Sequence, residues 1–128
     1  MISYGFKKQS ELNFKETELK VTEELKKEGF GILSRIDVQE KFKEKLDIDF
    51  QKYLILGACN PPNAHKAILA EEDIGLMLPC NIIIYEKDND TFVSMIKPTS
   101  AMGLINNEKL NEIARNVESK LKNVFENI

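Results

Sequence analysis

Two cysteines stand in matching contexts near the middle of the chain, where Cys59 precedes Asn60 and Cys80 precedes Asn81. Cys59 follows an apolar run of strand length, and Cys80 comes just before a second one. One helix and an extended return segment are predicted between them. Such a path brings the chain back to the same end of a sheet, so we expect the two cysteines to be neighbours, within about 10 Å for a strand spacing of about 4.8 Å.

The side chains around these cysteines include soft metal ligands. His65, the single histidine of the chain, follows Cys59 by six residues. Cys59, His65 and Cys80 would supply a sulfur, nitrogen, sulfur ligand set, although their spacing matches no standard zinc pattern. A fourth ligand would come from Asp73, Met77 or Met102. The pattern therefore predicts a metal ion or a small thiophilic ligand at a sheet end whose candidate residues are Cys59, Asn60, His65, Cys80 and Asn81.

The same residues permit two other functions. A thiol at a helix N-terminus has a lowered pKa, so Cys59 could act as the nucleophile of a thiol-dependent redox enzyme, with His65 assisting and Cys80 resolving an oxidised intermediate. Alternatively, both cysteines are structural core residues, since free cysteine is among the most buried residue types. The chain would then be a dimeric interaction module that buries its free sheet face or its long C-terminal helix against a second copy. The chain contains no G-x-G-x-x-G, Walker, H-E-x-x-H, G-x-S-x-G or C-x-x-C motif. We therefore favour a protein that is not an enzyme, and the sequence identifies no cofactor.

Nine elements are predicted to position these residues, in the order β-α-β-α-β-α-β-β-α. Asn13, Asp37 and Asn60 are expected to cap the first three helices, and the last helix follows Asn107. The strands are expected at Ile2–Phe6, Gly31–Ile36, Tyr53–Gly57, Asn81–Glu86 and Thr91–Lys97. We predict an α+β fold: a five-stranded antiparallel or mixed sheet with the long helices packed on one face. The opposite face would be covered by the short helices, by another chain or by water.

Composition sets the wider limits. The chain has 128 residues, 42% hydrophobic and 30% charged, which predicts one globular domain over residues 1–128. Its net charge of −3 argues against a nucleic-acid partner. It has neither an apolar run of membrane-spanning length nor the pattern of a signal peptide, so we expect a cytoplasmic protein that does not bind membranes and whose thiols are reduced.

The central block resembles a known family. Leu56–Pro61, Ala64–Ala67 and Ile74–Asn81 are similar to the domain-of-unknown-function family 302, as are Gly29-Phe30-Gly31, Tyr85-Glu86 and the spacing of Pro98 to Met102. The resemblance implies a small α+β domain with a TBP-like arrangement, in which one curved sheet is backed by helices and two copies often form a dimer. It implies no activity. The predicted partners are therefore a second copy of the chain and a small ligand or metal ion.

Overall fold

The computed structural model describes residues 2–128 and contains the nine predicted elements in the predicted order, with two additional short helices. Met1, the first residue of the predicted domain, lies outside the described residues. The strands are β1 Gly5–Ser10, β2 Gly31–Asp37, β3 Tyr53–Cys59, β4 Cys80–Lys87 and β5 Asp90–Ile96. The helices are α1 Phe14–Lys27, α2 Val38–Leu46, α3 Pro61–Ala70, α4 Pro98–Ala101 and α5 Glu108–Glu126, and a 3-10 helix spans Glu72–Met77.

The five strands form one sheet in the order β1-β5-β4-β3-β2, and every neighbouring pair is antiparallel. The prediction of an antiparallel or mixed sheet is thereby resolved as antiparallel. The β4–β5 hairpin turns through Asp88 and Asn89, whose φ angles of 53° and 68° match the left-handed residues of a tight two-residue turn. The fold is therefore the expected α+β class.

Helices α1 and α5 cover one face of this sheet. The apolar residues of each helix recur at helical spacing and meet the inward side chains of β3, β4 and β5. Completely buried members of this main core include Val21, Leu25, Leu54, Ile82, Ile84, Val93 and Leu121. A second, smaller core lies between α3, the 3-10 helix, the segment after α4 and the start of α5: Ala67, Ile74, Met102, Leu110 and Ala114.

Helix starts agree with the sequence analysis because each depends on one local hydrogen bond. The side chains of Asn13, Asp37, Asn60 and Asn107 all accept a hydrogen bond from a backbone N–H in the first turn of the following helix. Gly29 lies just beyond the end of α1 with φ 83°, the left-handed conformation expected there. These caps fix where the chain changes direction.

Two local predictions are wrong, and one short helix was not predicted. The first strand is Gly5–Ser10 instead of Ile2–Phe6, because its pairing with β5 decides its position and its polar sequence carries little apolar pattern. The return segment before Cys80 is a 3-10 helix instead of an extended chain, with Ile74 buried in the second core. Helix α4 was not anticipated, although Pro98 occupies a favoured position at its start.

Both edges of the sheet carry features that interrupt regular pairing. Edge strand β2 contains an irregularity between Ile32 and Ser34, and Leu33 within it is 68% exposed. The opposite edge, β1, carries Lys7 and Lys8. Bulges and lysines are known devices against further strand addition. Along residues 2–128, none of the helices has the length and apolar character that spanning a membrane requires.

Gly57 on β3 is expected to tolerate no side chain. A Cβ placed there would collide with the Ser34 side chain and approach Pro79 Cγ to 2.7 Å, whereas one on Gly31 of the adjacent strand would meet nothing within 4 Å. Gly57→Ala should therefore lower the free energy of unfolding by about 1–3 kcal/mol, and Gly31→Ala should change it far less. Urea denaturation of both variants tests this, and equal losses would contradict the assigned packing.

Candidate functional site

The two cysteines lie at the same end of the sheet, as expected. Cys80 begins β4 and is paired in register with Ala58, the residue before Cys59 at the end of β3. The chain leaves Cys59 through Asn60 into α3 and returns through the 3-10 helix and Pro79 to Cys80. The predicted neighbourhood of Cys59 and Cys80 is therefore confirmed as a property of the strand pairing.

A small cavity lies at this end of the sheet, between the main core and the second core. Its volume of about 30 Å³ leaves room for one or two water-sized molecules. Three of the five predicted site residues border it: Cys59, Asn60 and Cys80. Its walls are otherwise mostly apolar and come from α3, α5, the start of α4 and the segments beside them: Phe30, Ala58, Asn63, Ala64, Ala67, Leu78, Pro79, Pro98, Met102, Ile113, Ala114 and Val117. We call this space the sheet-end cavity.

Asn60 joins three elements at the wall of the cavity. Its Nδ2 donates to the backbone oxygen of Glu28 at 3.2 Å, and its Oδ1 accepts from the backbone N–H of Asn63 at 3.3 Å. Asn63 Nδ2 also donates to Asn60 Oδ1 at 3.1 Å, and Asn116 Nδ2 donates to Asn63 Oδ1 at 3.3 Å. Both Asn60 and Asn63 are buried. Their polar atoms are thus engaged in holding α3 against the end of α1 and against α5.

The pKa values of both thiols are raised. Burial raises the pKa of the half-buried Cys59 thiol above its ordinary value, against the expectation that the N-terminus of α3 would lower it. Burial and the nearby charge of Cys59 raise the pKa of the Cys80 thiol to about 11. Desolvation disfavours the thiolate in both cases. Both cysteines are free, and the neutral thiol is the form that prevails near neutral pH.

The two remaining candidates lie elsewhere. His65 is exposed on α3, two residues from the inward Asn63 and therefore on the opposite side of the helix, and it does not border the cavity. Asn81 follows Cys80 on β4, so strand alternation directs it to the other face of the sheet. Within residues 2–128, no three His, Cys, Asp or Glu side chains are grouped closely enough to hold a metal ion. The set of Cys59, His65 and Cys80 is not assembled.

Asn81 belongs instead to the uncovered face of the sheet, which we call the open face. In register, one row across it contains Lys7, Ser94, Ile83, Ile55 and Ile36, and the next contains Gln9, Phe92, Tyr85 and Tyr53. Most of these apolar side chains are half-buried, and Ile36 at the edge is 44% exposed. The open face therefore presents adjoining isoleucine and aromatic rows to its surroundings.

The aromatic row of the open face is ordered by stacking. The rings of Tyr53 and Tyr85 are 5.6 Å apart at 14°, and those of Tyr85 and Phe92 are 5.5 Å apart at 23°. The Lys7 ammonium lies 5.4 Å from the centres of both the Tyr85 and the Phe92 rings. Burial, with smaller effects of Tyr85 and Tyr4, raises the pKa of Tyr53. A concavity of about 420 Å³ lies beside these rings and is bordered by Tyr4, Lys7 and Asn81.

Sequence reasoning anticipated a free sheet face but did not name the residues on it, and it did not identify the far walls of the cavity. The alternation of residues along β4 and β5 indicates which side chains lie on the open face. Ile83, Tyr85 and Phe92 alternate with the residues that face the core. Phe30, Ala114 and Val117 reach the cavity only because α5 packs across the end of α1. That contact joins residues more than 80 positions apart, so no local pattern reports it.

The chain is similar to known proteins both in sequence and in fold. Residues 6–128 match the family model described as domain of unknown function DUF302. A crystal structure of an uncharacterized conserved DUF302 protein from Bacillus stearothermophilus superposes with a TM-score of 0.91 and 32% sequence identity, covering 98% of each chain. No curated protein matches the chain.

Native alkylation should reveal the difference between the two thiols. Because the pKa of each is raised, labelling of Cys59 and Cys80 should have midpoints above the value for the unfolded chain, and Cys80 should react last, near pH 11. Peptide mass spectrometry after iodoacetamide treatment at a series of pH values measures both separately. In denaturant the two should become equal. A Cys59 midpoint below that of the unfolded chain would restore the thiol-enzyme interpretation.

Proposed function

Since this chain belongs to the DUF302 family, whose description assigns no activity, we propose a function from its own surfaces: it is a homodimeric interaction module that pairs through the open face. The observation that carries the proposal is the contiguous apolar surface on the side of the sheet opposite α1 and α5. A sheet face of this composition gains stability when it is buried against another layer. A second copy of the chain supplies that layer without any other component.

The composition of the open face supports an interface. Across its two central rows the single charged residue is Lys7, and its ammonium rests against two aromatic rings. Interface centres are depleted of charge and enriched in tyrosine and phenylalanine in this way. Ile83 on the central strand and Ile55 beside it form the middle of the patch. Two-fold symmetry is the commonest symmetry among oligomers. A two-fold pairing would bring these isoleucines of both copies together.

The size of the open face also fits a dimer. Five strands at about 4.8 Å give a width of about 24 Å, and six residues at about 3.3 Å give a length of about 20 Å. Two such faces in contact would bury about 1,000 Å², the lower end for a specific interface. We therefore expect a dimer that is in equilibrium with its monomer at measurable concentrations.

Within this proposal the cysteines are structural, consistent with the buried position of Cys80 and the raised pKa of both thiols. The open face and the Cys80 side chain lie on opposite sides of the sheet, so pairing requires no rearrangement around Cys80. We keep a cytoplasmic location as part of the proposal, with which two free cysteines are compatible.

Ile83→Lys should weaken the pairing. The substitution places an ammonium in the middle of the open face, where pairing would have to desolvate it without a partner, so the dissociation constant should rise at least about tenfold. Sedimentation equilibrium over a range of concentrations measures this. The unsubstituted chain should approach twice its mass of 14.7 kDa as concentration rises.

Matched variants separate loss of pairing from loss of folding. Leu104→Lys introduces the same charge at a residue that is 94% exposed outside the open face, and it should leave the dissociation constant unchanged. Ile36→Lys, at the exposed edge of the face, is a second disruptive variant with little expected effect on the fold. An unsubstituted chain that stays monomeric at every concentration would overturn the proposal, as would equal effects of Ile83→Lys and Leu104→Lys.

A second candidate role, compatible with the first, is binding of a small ligand in the sheet-end cavity. The observation that favours it is a mostly apolar space between two separate cores, bordered by Cys59 and Cys80. A mostly apolar cavity is suited to a small apolar guest. The lining side chains leave no buried nitrogen or oxygen unsatisfied among the described residues, so a guest would be bound by shape.

Xenon is a suitable probe of this role because it is small and apolar. The xenon-129 chemical shift should change with protein concentration in a saturable way if the cavity takes it up. Ala64→Leu, which adds volume at the cavity wall, should remove that response. Ala70→Leu makes the same change on α3 outside the cavity and should preserve it. No difference between these two variants would refute binding in the cavity.

A further inference from the structure

We propose that the concavity of about 420 Å³ on the open face binds a small aromatic carboxylate, whose ring rests on an apolar floor and whose anionic group pairs with Lys7. The inference goes beyond the pairing of two copies and does not rest on it, because the residues that border the concavity all belong to one chain. A volume in this range is typical of sites that hold small organic molecules. We call this space the tyrosine concavity, after Tyr4, Tyr53 and Tyr85, which border it.

The depression exists because small residues lie between larger ones. Ser94 on β5 is paired in register with Ile83 on β4, and both border the tyrosine concavity, as does Gly5 on β1. Tyr85 follows Ile83 by two residues and Asn81 precedes it by two, so strand alternation places both on the same face as Ile83. The short side chain of Ser94 and the absence of one on Gly5 leave space between these longer neighbours. The floor is thus apolar, and polar groups stand around it.

All three tyrosines of the chain border this one space. The rings of Tyr53 and Tyr85 are stacked 5.6 Å apart at 14°. Tyr4 is exposed and belongs to the segment before β1, where its backbone oxygen accepts a hydrogen bond from the Lys97 N–H at 2.9 Å. The raised pKa of Tyr53, to which Tyr85 and Tyr4 both contribute, agrees with phenol groups that lie close together. Each tyrosine offers a flat ring an apolar surface and offers its substituents a hydroxyl.

Lys7 supplies the charge that selects an anion. Among the described residues that border the tyrosine concavity, it is the only charged one. Its ammonium lies 5.4 Å from the centres of the Tyr85 and Phe92 rings, which hold it from one side and leave N–H donors for an acceptor on the other. Within residues 2–128, the salt bridges are formed by other basic residues: Lys20, Lys27, Arg35, Lys41 and Lys43. A flat ring that carries a carboxylate therefore matches both the walls and the charge.

Nuclear magnetic resonance of the full chain, labelled with carbon-13 in its tyrosine rings, tests the proposal with 2-naphthoate as the probe. Because all three tyrosines border the concavity, their ring signals report on it directly. We expect 2-naphthoate to shift these signals in a saturable way, with a dissociation constant of about 1 mM or lower. Neutral 2-naphthol has the same ring system without the carboxylate. It should bind about fivefold more weakly, the upper end for an exposed ion pair.

Two adjacent lysines provide a matched pair of variants. Lys7→Met should lower the affinity for 2-naphthoate about fivefold and leave that for 2-naphthol unchanged. Lys8→Met removes the same charge from the next residue, whose ammonium lies on the helix side, 4.5 Å from the centre of the Phe125 ring, and it should leave both affinities unchanged. Ser94→Leu fills the floor and should abolish binding of both probes. Circular dichroism verifies the fold of each variant, and the lysine pair still decides the proposal if Ser94→Leu does not fold.

The outcomes separate this inference from the pairing of two copies. Tyrosine signals that show no saturable shift would overturn the site, and equal affinities for the two probes, or equal losses in Lys7→Met and Lys8→Met, would overturn its selection of anions. Ile36→Lys, which should weaken pairing and lies outside the concavity, should still bind 2-naphthoate. If the unsubstituted chain is monomeric yet binds 2-naphthoate, only the pairing falls. If it forms dimers and Ile36→Lys binds no 2-naphthoate, only the tyrosine concavity falls.

Discussion

The packing of α1 and α5 against one face of the sheet is the contact on which the rest of the molecule depends. Val21, Leu25 and Leu121 are fully buried there against the inward side chains of the strands. Because strand residues alternate between faces, this contact assigns every position of β3, β4 and β5 either to the core or to the open face. It also fixes the direction in which the chain must leave each strand, and therefore where the sheet-end cavity lies.

The features that could be predicted from the sequence are those determined over a few residues. Asn13 and Asn60 cap helices through hydrogen bonds to their own first turns, and the buried run before Cys59 has the composition of an interior strand. From these the element order and the common position of the cysteines followed. The placement of His65 could not be inferred, because the rotation of α3 about its axis depends on which side chains pack against α5. The register of β1 likewise depends on a partner strand more than 80 residues away.

The candidate site shows the same division. Cys80 and Asn81 are adjacent in sequence and were expected in one site, yet strand alternation directs them to opposite faces. Asn60 was a plausible ligand reader from its type alone, but its hydrogen bonds to Glu28 and Asn63 commit it to joining α1 and α3. Chemistry-bearing residue types therefore located the right end of the sheet. Tertiary packing determined which of these residues share a face and which are engaged in hydrogen bonds.

The irregular edge of β2 determines what kind of assembly this fold permits. A sheet with two regular edges can add strands from one molecule to the next without limit, which produces filaments. Here the irregularity beside Leu33 interrupts regular pairing at one edge. At the other edge, the charged lysines of β1 disfavour the addition of a further strand. Growth by edge addition is thus obstructed at both ends, whereas the pairing through the open face proposed above would be complete once two molecules have met. The architecture therefore disfavours open polymers built by strand addition.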